Sequence, residues 1–154
     1  MDFNFNKKQL LIKQTIEEFA DKEITPYAEE IDHEERFPER EIKKLSKMGI
    51  MGMSIPKEYG GAELDNVSQT IIMETISKAC ASTSVTMGAH TSLCCFPLVA
   101  YGTKDQKERF LPKLASGEYL GAFALTEPNA GSDASNVETT AVKDGDEYIL
   151  NGSK

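Results

Sequence analysis

The sequence has no tryptophan, two histidines, three cysteines and no long apolar run. Cys80, Cys94 and Cys95 form no CxxC pair and have no histidine pair nearby, so we expect no metal site. They are predicted to be buried free thiols of a reducing cytoplasm. No window reaches the roughly 20 consecutive apolar residues of a membrane-spanning helix. The sequence therefore predicts a cytoplasmic protein without a membrane span.

Positive charge is also scarce. The 154 residues include 17 Lys and Arg against 25 Asp and Glu, which gives a net charge of −8. The summed field repels phosphate backbones, so the composition argues against nucleic-acid binding through a broad basic face. An anionic ligand would have to be held by local backbone amides or by a few cations.

Helical periodicity dominates the first two-thirds of the chain. Apolar residues recur at three- and four-residue spacing in a first helix that Pro26 is predicted to end. Pro38 is predicted to lie in the first turn of a second helix that stops at Gly49, and Asp65 or Asn66 to cap a third. The core-facing residues predicted for these helices are Ile12, Ile16, Phe19, Ala20, Ile42, Leu45, Val67, Ile71, Ile72 and Ile76.

Two further helical segments follow. Residues 84–100 carry no Asp, Glu, Lys or Arg, which predicts a central helix buried on all sides, as in a bundle. Pro97 is predicted to kink this helix or to mark a break. The next helix is predicted to begin at Thr103, with Gln106 at capping-box spacing, and to end at Ser116-Gly117.

The pattern changes after Gly117. Residues 119–126 (YLGAFALT) are apolar and aromatic and predict a buried strand. Residues 139–142 and 147–150 predict two more strands, joined at Asp144-Gly145. Three short strands cannot bury their own faces, so we expect a domain that continues beyond Lys154. The predicted organisation is mainly α, with a helical domain over 1–118 and the truncated start of a β-domain over 119–154.

The stretch ALTEPNAGSD (124–133) concentrates turn formers and hydrogen-bonding groups where the predicted strand ends. Hydroxyls and free backbone N–H groups can hold a ligand, and Gly131 permits its close approach. The same residues are also common in ordinary turns. The pattern matches neither the phosphate loop nor the dinucleotide GxGxxG motif. The residues alone leave a simple turn and a ligand loop both open.

ALTEPNAGSD resembles the N-terminal signature of the acyl-CoA dehydrogenase family, most closely its short- and branched-chain members. PKEYGGAELD, YGTKDQKERFLPKLASGE and DGDEYILNGSK agree with that family in register, so the resemblance runs from roughly residue 6 to the end. It implies an N-terminal up-and-down helical bundle, followed by the first strands of a β-barrel-like middle domain. It also implies FAD as cofactor.

The resemblance assigns five residues to the cofactor. Phe123, Leu125 and Thr126 would line the flavin, with the Thr126 hydroxyl donating toward the N5 and O4 edge of the ring. Gly131 and Ser132 would lie against the pyrophosphate, and Ser132 also near the CoA portion of the substrate.

Other residues receive less specific roles. Ala89 and Leu93 fall where family members line the acyl pocket, although plain core packing remains an equal alternative for each. Glu127 and Asp133 are expected to order their loop through hydrogen bonds and not to act as acid or base. His90 is expected to be a hydrogen-bonded core residue.

The implied reaction is α,β-dehydrogenation of an acyl-CoA thioester. A carboxylate takes the α-proton, the β-hydrogen leaves as hydride to the flavin, and electrons pass to an electron-transferring flavoprotein. The catalytic base would be a Glu beyond Lys154, so this chain alone is expected to be inactive and to bind FAD weakly. The whole protein would be a homodimer or homotetramer. Two alternatives are an acyl-CoA oxidase of the same fold and a non-catalytic helical module that binds a partner.

Overall fold

The computed structural model describes residues 4–154, which fall into two compact units that meet in sequence at Ala122 and Phe123. The first unit is helical and the second carries one antiparallel hairpin. The helices are α1 (Lys7–Glu23), α2 (Thr25–His33), α3 (Glu39–Lys47), α4 (Asn66–Ala79), α5 (Ala81–Gly88), α6 (Phe96–Tyr101) and α7 (Lys104–Ser116). A π-helical turn, Ala89–Cys95, joins α5 to α6 and is called the π-turn below.

The first two helices differ from the sequence prediction. The first helix does end before Pro26, at Glu23, but α2 was not predicted. Pro26 lies in the first turn of α2, where its missing N–H has no intrahelical partner to lose. Pro26 thus opens one helix as well as following another, and Ile24 alone separates the two.

The predicted bounds of α3 and the predicted start of α4 agree closely with the structure. Pro38 directly precedes α3, and Gly49, two residues after α3, has the left-handed φ of 75°. Asp65 caps α4: its carboxylate accepts the Ser68 backbone N–H at 3.0 Å and the Ser68 hydroxyl at 2.7 Å. These bonds hold the pKa of Asp65 at about 2.

The helical core contains most of the predicted residues. Nine of the ten predicted residues are buried or packed against the buried cluster. The buried members are Ile16, Ala20, Ile42, Leu45, Ile71, Ile72 and Ile76. Val67 was wrongly assigned to this face, because it lies on the outer side of α4 with 47% of its surface exposed.

The prediction of a helix buried on all sides over 84–100 is wrong. Met87 and Cys95 are buried, but Val85 and Phe96 remain 70% and 58% exposed in the described chain. The absence of charged residues did not identify the buried face of this segment, because its small polar residues are uncharged too. The Thr91 hydroxyl, for example, is buried and donates to the Met87 carbonyl at 2.9 Å. Helix geometry does change next to Pro97, as predicted, since the π-turn ends one residue before α6 begins.

Helix α7 begins and ends as predicted. The Thr103 hydroxyl accepts the Gln106 N–H at 3.3 Å, and the Gln106 side chain accepts the Thr103 N–H at 2.9 Å. Gly117 closes the helix with a φ of 74°. This reciprocal cap satisfies two N–H groups that the helix itself leaves without partners.

We expect Thr103→Ala to lower the free energy of unfolding by about 1 kcal/mol, because it removes the cap acceptor. Chemical denaturation followed by circular dichroism measures the change. Thr15→Ala, an exposed substitution inside α1, is the matched control and should leave stability unchanged or slightly raised. Equal stabilities of wild type and Thr103→Ala would show that the cap contributes nothing.

The second unit contains the predicted hairpin. Strands β1 (Thr140–Asp144) and β2 (Glu147–Asn151) pair antiparallel, with Asp144 opposite Glu147. Gly145 opens the two-residue loop with a φ of 60°, a conformation that glycine adopts without a Cβ clash. Both strands are exposed along their whole length.

The predicted strand over 119–126 is absent from the described chain, and the prediction is wrong. A strand is defined by hydrogen bonds to a neighbour, and these residues have none of the ladder type. Tyr119, Leu120, Phe123 and Leu125 are each more than 40% exposed, so the segment is not buried either. Within residues 4–154, no helix is long and apolar enough to cross a membrane.

Candidate functional site

The signature residues 124–133 form a loop, called the signature loop below, that contains a tight turn. Glu127 and Ala130 exchange backbone hydrogen bonds, N–H to O in both directions at 3.1 Å, with Pro128 and Asn129 at the tip. Further along, the Asn136 side-chain amide donates to the Asn129 carbonyl at 3.0 Å. The loop is therefore closed by its own backbone and by a side chain that follows it.

The Glu127 carboxylate anchors this loop to the base of the hairpin. Only 7% of the residue is exposed, and its oxygens accept the backbone N–H groups of Glu138 at 2.6 Å and Thr139 at 3.1 Å. The Lys154 ammonium lies 2.8 Å from the same carboxylate and also donates to the Leu125 carbonyl at 2.9 Å. The bonds from Lys154, Thr139 and Glu138 lower the pKa of Glu127 to about 2.

These contacts give Glu127 the loop-ordering bonds that the sequence analysis expected. Asp133 makes shorter-range contacts, since it accepts the Ser135 hydroxyl and its carbonyl accepts the Asn136 N–H at 3.2 Å. Sequence reasoning did not single out Lys154, because a lone lysine after a turn has no distinguishing pattern. Only the fold places it beside Glu127, 27 residues away in the sequence.

The five residues assigned to the cofactor all lie in the second unit, on and beside this loop. Phe123 and Leu125 are 56% and 42% exposed, and Thr126 and Ser132 are exposed as well. A Cβ added at Gly131 would meet nothing within 4 Å. These groups fit a flavin nucleotide. The exposed apolar side chains suit its apolar ring, and the two hydroxyls and the open glycine backbone can donate hydrogen bonds to its anionic phosphates.

The two residues assigned to the acyl pocket lie in the first unit, on the π-turn. Leu93 is 50% exposed and Ala89 is half-buried. The other side of the π-turn is anchored in the helical unit by His90, Thr91 and Cys95, which are all buried. The π-turn thus presents two apolar residues from a fixed base, and such turns are frequent at functional sites.

His90 is fully buried and hydrogen-bonded, as the sequence analysis expected. Its Nε2 lies 3.2 Å from the Met51 carbonyl and 3.5 Å from Cys95 Sγ, and its Nδ1 lies 2.9 Å from the Gly121 backbone nitrogen. Burial lowers the pKa of His90, and the Met51 and Leu114 carbonyls oppose that effect. Among the described residues, no group of three or more His, Cys, Asp or Glu is placed to hold a metal ion.

Two family models cover nearly the whole chain. Residues 6–118 match the N-terminal domain of acyl-CoA dehydrogenase, and residues 122–154 match its middle domain. The chain belongs to the acyl-CoA dehydrogenase family. The two matches meet within a few residues of the boundary between the helical unit and the hairpin unit.

Individual acyl-CoA dehydrogenases are similar over the full chain. The short-chain-specific enzyme of Clostridium acetobutylicum is 49% identical over 154 residues, which are 41% of its own length. Two solved structures align with TM-scores of 0.94 and 0.90. One, at 44% identity, comes from work on the electron transferring flavoprotein of Acidaminococcus fermentans and is covered to 40%. The other, at 38% identity, is an acyl-CoA dehydrogenase complexed with FAD from Bacillus anthracis and is covered to 26%.

The chain therefore spans 41% of the length of the Clostridium acetobutylicum relative and 40% and 26% of the two solved chains. The covered part is N-terminal and includes the signature loop, the π-turn and the first hairpin of the middle domain.

Proposed function

We propose that this chain is the N-terminal part of an FAD-dependent acyl-CoA dehydrogenase that acts on short or branched acyl-CoA thioesters. It would deliver electrons to an electron-transferring flavoprotein, assemble as a homodimer or homotetramer, and work in cytoplasmic fatty-acid β-oxidation. The observation that supports the proposal is the Glu127 anchor of the signature loop, which Phe123, Leu125 and Thr126 precede in the sequence and Gly131 and Ser132 follow.

When bound, FAD would supply the acceptor for the hydride that leaves the β-carbon of the acyl chain. Phe123 and Leu125 would contact the apolar ring and exclude water from its face. The Thr126 hydroxyl would donate a hydrogen bond to the ring edge, where negative charge develops, and so stabilise that charge. The Gly131 and Ser132 region would bind phosphate oxygens through the hydroxyl and nearby N–H groups.

The π-turn would supply apolar contacts to the acyl chain of the substrate. Ala89 and Leu93 are apolar, and Leu93 leaves half of its surface free to contact an alkyl chain. The proton-abstracting carboxylate is assigned to no residue of this chain. Glu127 is unsuitable for that role, because both of its oxygens accept backbone N–H groups and Lys154 neutralises its charge.

Thr126→Val in the full-length protein tests this proposal. We expect the substitution to slow flavin reduction by a short-chain acyl-CoA roughly tenfold to a hundredfold, because the donor to the ring edge is lost while the shape is kept. Anaerobic stopped-flow bleaching of the flavin absorbance measures the rate. Thr126→Ser keeps the hydroxyl and is the matched control, with a rate within a few-fold of wild type.

Three results would contradict the proposal. The first is a full-length protein that holds no FAD, which would favour a partner-binding module. The second is equal flavin reduction in wild type and Thr126→Val, and the third concerns reoxidation. Reoxidation by molecular oxygen as fast as by electron-transferring flavoprotein would replace the dehydrogenase assignment with an oxidase.

A further inference from the structure

The buried imidazole of His90 joins three separate segments of the helical unit. It sits on the π-turn, its Nε2 contacts the Met51 carbonyl in the turn Ile50–Gly52, and its Nδ1 contacts the backbone nitrogen of Gly121. These partners are 39 and 31 residues away from His90 in the sequence. Neither contact is needed to cap a helix or to close a local turn.

The contacts define which nitrogen carries the proton. The Gly121 N–H is a donor, so Nδ1 must offer a lone pair to it, and the neutral ring then carries its proton on Nε2. That Nε2–H donates to the Met51 carbonyl, with Cys95 Sγ beside it. Burial, helped by Cys94, raises the pKa of Cys95 to about 12, so the neighbouring thiol stays uncharged. Burial lowers the pKa of His90 more than the Met51 and Leu114 carbonyls raise it, so the ring is favoured in its neutral form.

Gly121 is fitted closely against the π-turn. A Cβ at this position would lie 2.4 Å from Cys94 Sγ and 2.6 Å from Cys94 Cβ. His90 and Cys94 are four residues apart and lie on one side of the π-turn. The Gly121 backbone donates a hydrogen bond to His90 and packs closely against Cys94. Glycine is required for this approach, because a side chain would push the N–H away from the imidazole.

We infer that His90 is a positioning residue. Its buried imidazole fixes two segments relative to each other, the π-turn and the backbone at Gly121 that leads into the signature loop. The π-turn that carries His90 also carries Ala89 and Leu93, and Gly121 precedes Phe123 by two residues. His90 itself is assigned no contact with the acyl chain or the flavin and no role as acid or base. The inference rests on the proposed function for the roles of those two segments.

Two substitutions separate the contacts of the imidazole. Asn places its carbonyl oxygen near the position of Nδ1, so His90→Asn keeps an acceptor for Gly121. Gln places its amide nitrogen near the position of Nε2, so His90→Gln keeps the donor to Met51 and leaves the Gly121 N–H without an acceptor. Comparing the two therefore tests the Gly121 bond at nearly constant polarity.

The first readout is amide hydrogen exchange of Gly121, measured by ¹⁵N NMR on the 154-residue chain. We expect exchange in His90→Gln to be roughly tenfold faster than in wild type, and His90→Asn to stay near wild type. The Ile72 amide, in the middle of α4, serves as the internal control and should change little in either variant. In wild type, the imidazole ¹⁵N shifts should show Nε2 protonated and Nδ1 unprotonated.

The second readout is the flavin absorption spectrum of the full-length protein. We expect His90→Gln to shift the flavin bands and to raise the KM for acyl-CoA. In His90→Asn, the band positions and the KM should stay near those of wild type. The exchange experiment requires no FAD, so a protein that fails to bind FAD would contradict the proposed function without changing the Gly121 result.

Three results would overturn the inference. They are equal Gly121 exchange in His90→Gln and His90→Asn, an equal acceleration at Ile72 and Gly121, and a wild-type imidazole protonated on Nδ1. The last measurement uses the unmodified protein, so the inference stays testable even if His90→Gln does not fold.

Discussion

Replacing Glu127 with glutamine is expected to release the signature loop from the hairpin. The substitution keeps the shape of the side chain but turns one acceptor oxygen into an NH₂ group that faces a backbone N–H, and it removes the charge that pairs with Lys154. We expect the Glu138 and Thr139 amides to lose protection from exchange. In the full-length protein, FAD affinity should fall roughly tenfold to a hundredfold, because Thr126 and Ser132 flank the released anchor.

Amide exchange by NMR and FAD titration by fluorescence quenching measure the two effects. Glu138→Gln is the matched control, because Glu138 contributes its backbone N–H to the network and its own side chain is exposed. The control should exchange and bind like wild type. Unchanged amide protection in Glu127→Gln would mean that the backbone turn alone orders the loop, and the prediction would then be wrong.

The same network predicts acid sensitivity of the loop. The pKa of Glu127 lies at about 2 in the folded chain, below its ordinary value of 4.5. A depressed carboxyl pKa stabilises the fold above the unfolded-state pKa, and this contribution is lost as the pH falls from about 4.5 toward 2. Protection of the Glu138 and Thr139 amides should follow that window in wild type and be largely absent from Glu127→Gln at every pH.

Local signals in the sequence predicted the parts of the fold that local chemistry determines. The Asp65 cap, the Thr103–Gln106 capping box, the Gly117 helix end and the Gly145 turn depend on residues a few positions apart. The hairpin follows from the same kind of signal. A long signature such as ALTEPNAGSD adds the family, and with it the expected order of the domains.

Features that depend on distant partners were missed. Residues 119–126 have strand composition, but a strand needs a neighbour, and the described chain provides none. Val67 fits the apolar spacing of α4, yet it lies beyond the edge of the buried face. His90 was predicted to be a bonded core residue, but its partners could not be predicted because Met51 and Gly121 reach it only through tertiary packing.

The stability of the chain is expected to fall below pH 6.5 because His90 resists protonation in the folded state. Burial lowers its folded pKa below the ordinary 6.5, and Nδ1 already accepts the Gly121 N–H, so a second donor there would face the first. In the unfolded chain the imidazole takes up its proton normally. The unfolded state then binds more protons, so the free energy of unfolding decreases as the pH falls between the two pKa values.

Urea denaturation at several pH values between about 7 and 5 measures this slope, which can reach about 1.4 kcal/mol per pH unit from one histidine. His90→Asn removes the titrating group and keeps the Gly121 acceptor, so its slope should be smaller by up to that amount. His33→Gln is the matched control, because it removes a histidine that is exposed at the end of α2. Parallel curves for wild type and His90→Asn would mean that His90 takes up its proton in the folded chain as readily as in the unfolded chain, which requires loss of the Gly121 contact. That result would remove the argument for a neutral His90, since a charged ring cannot accept the Gly121 N–H at Nδ1.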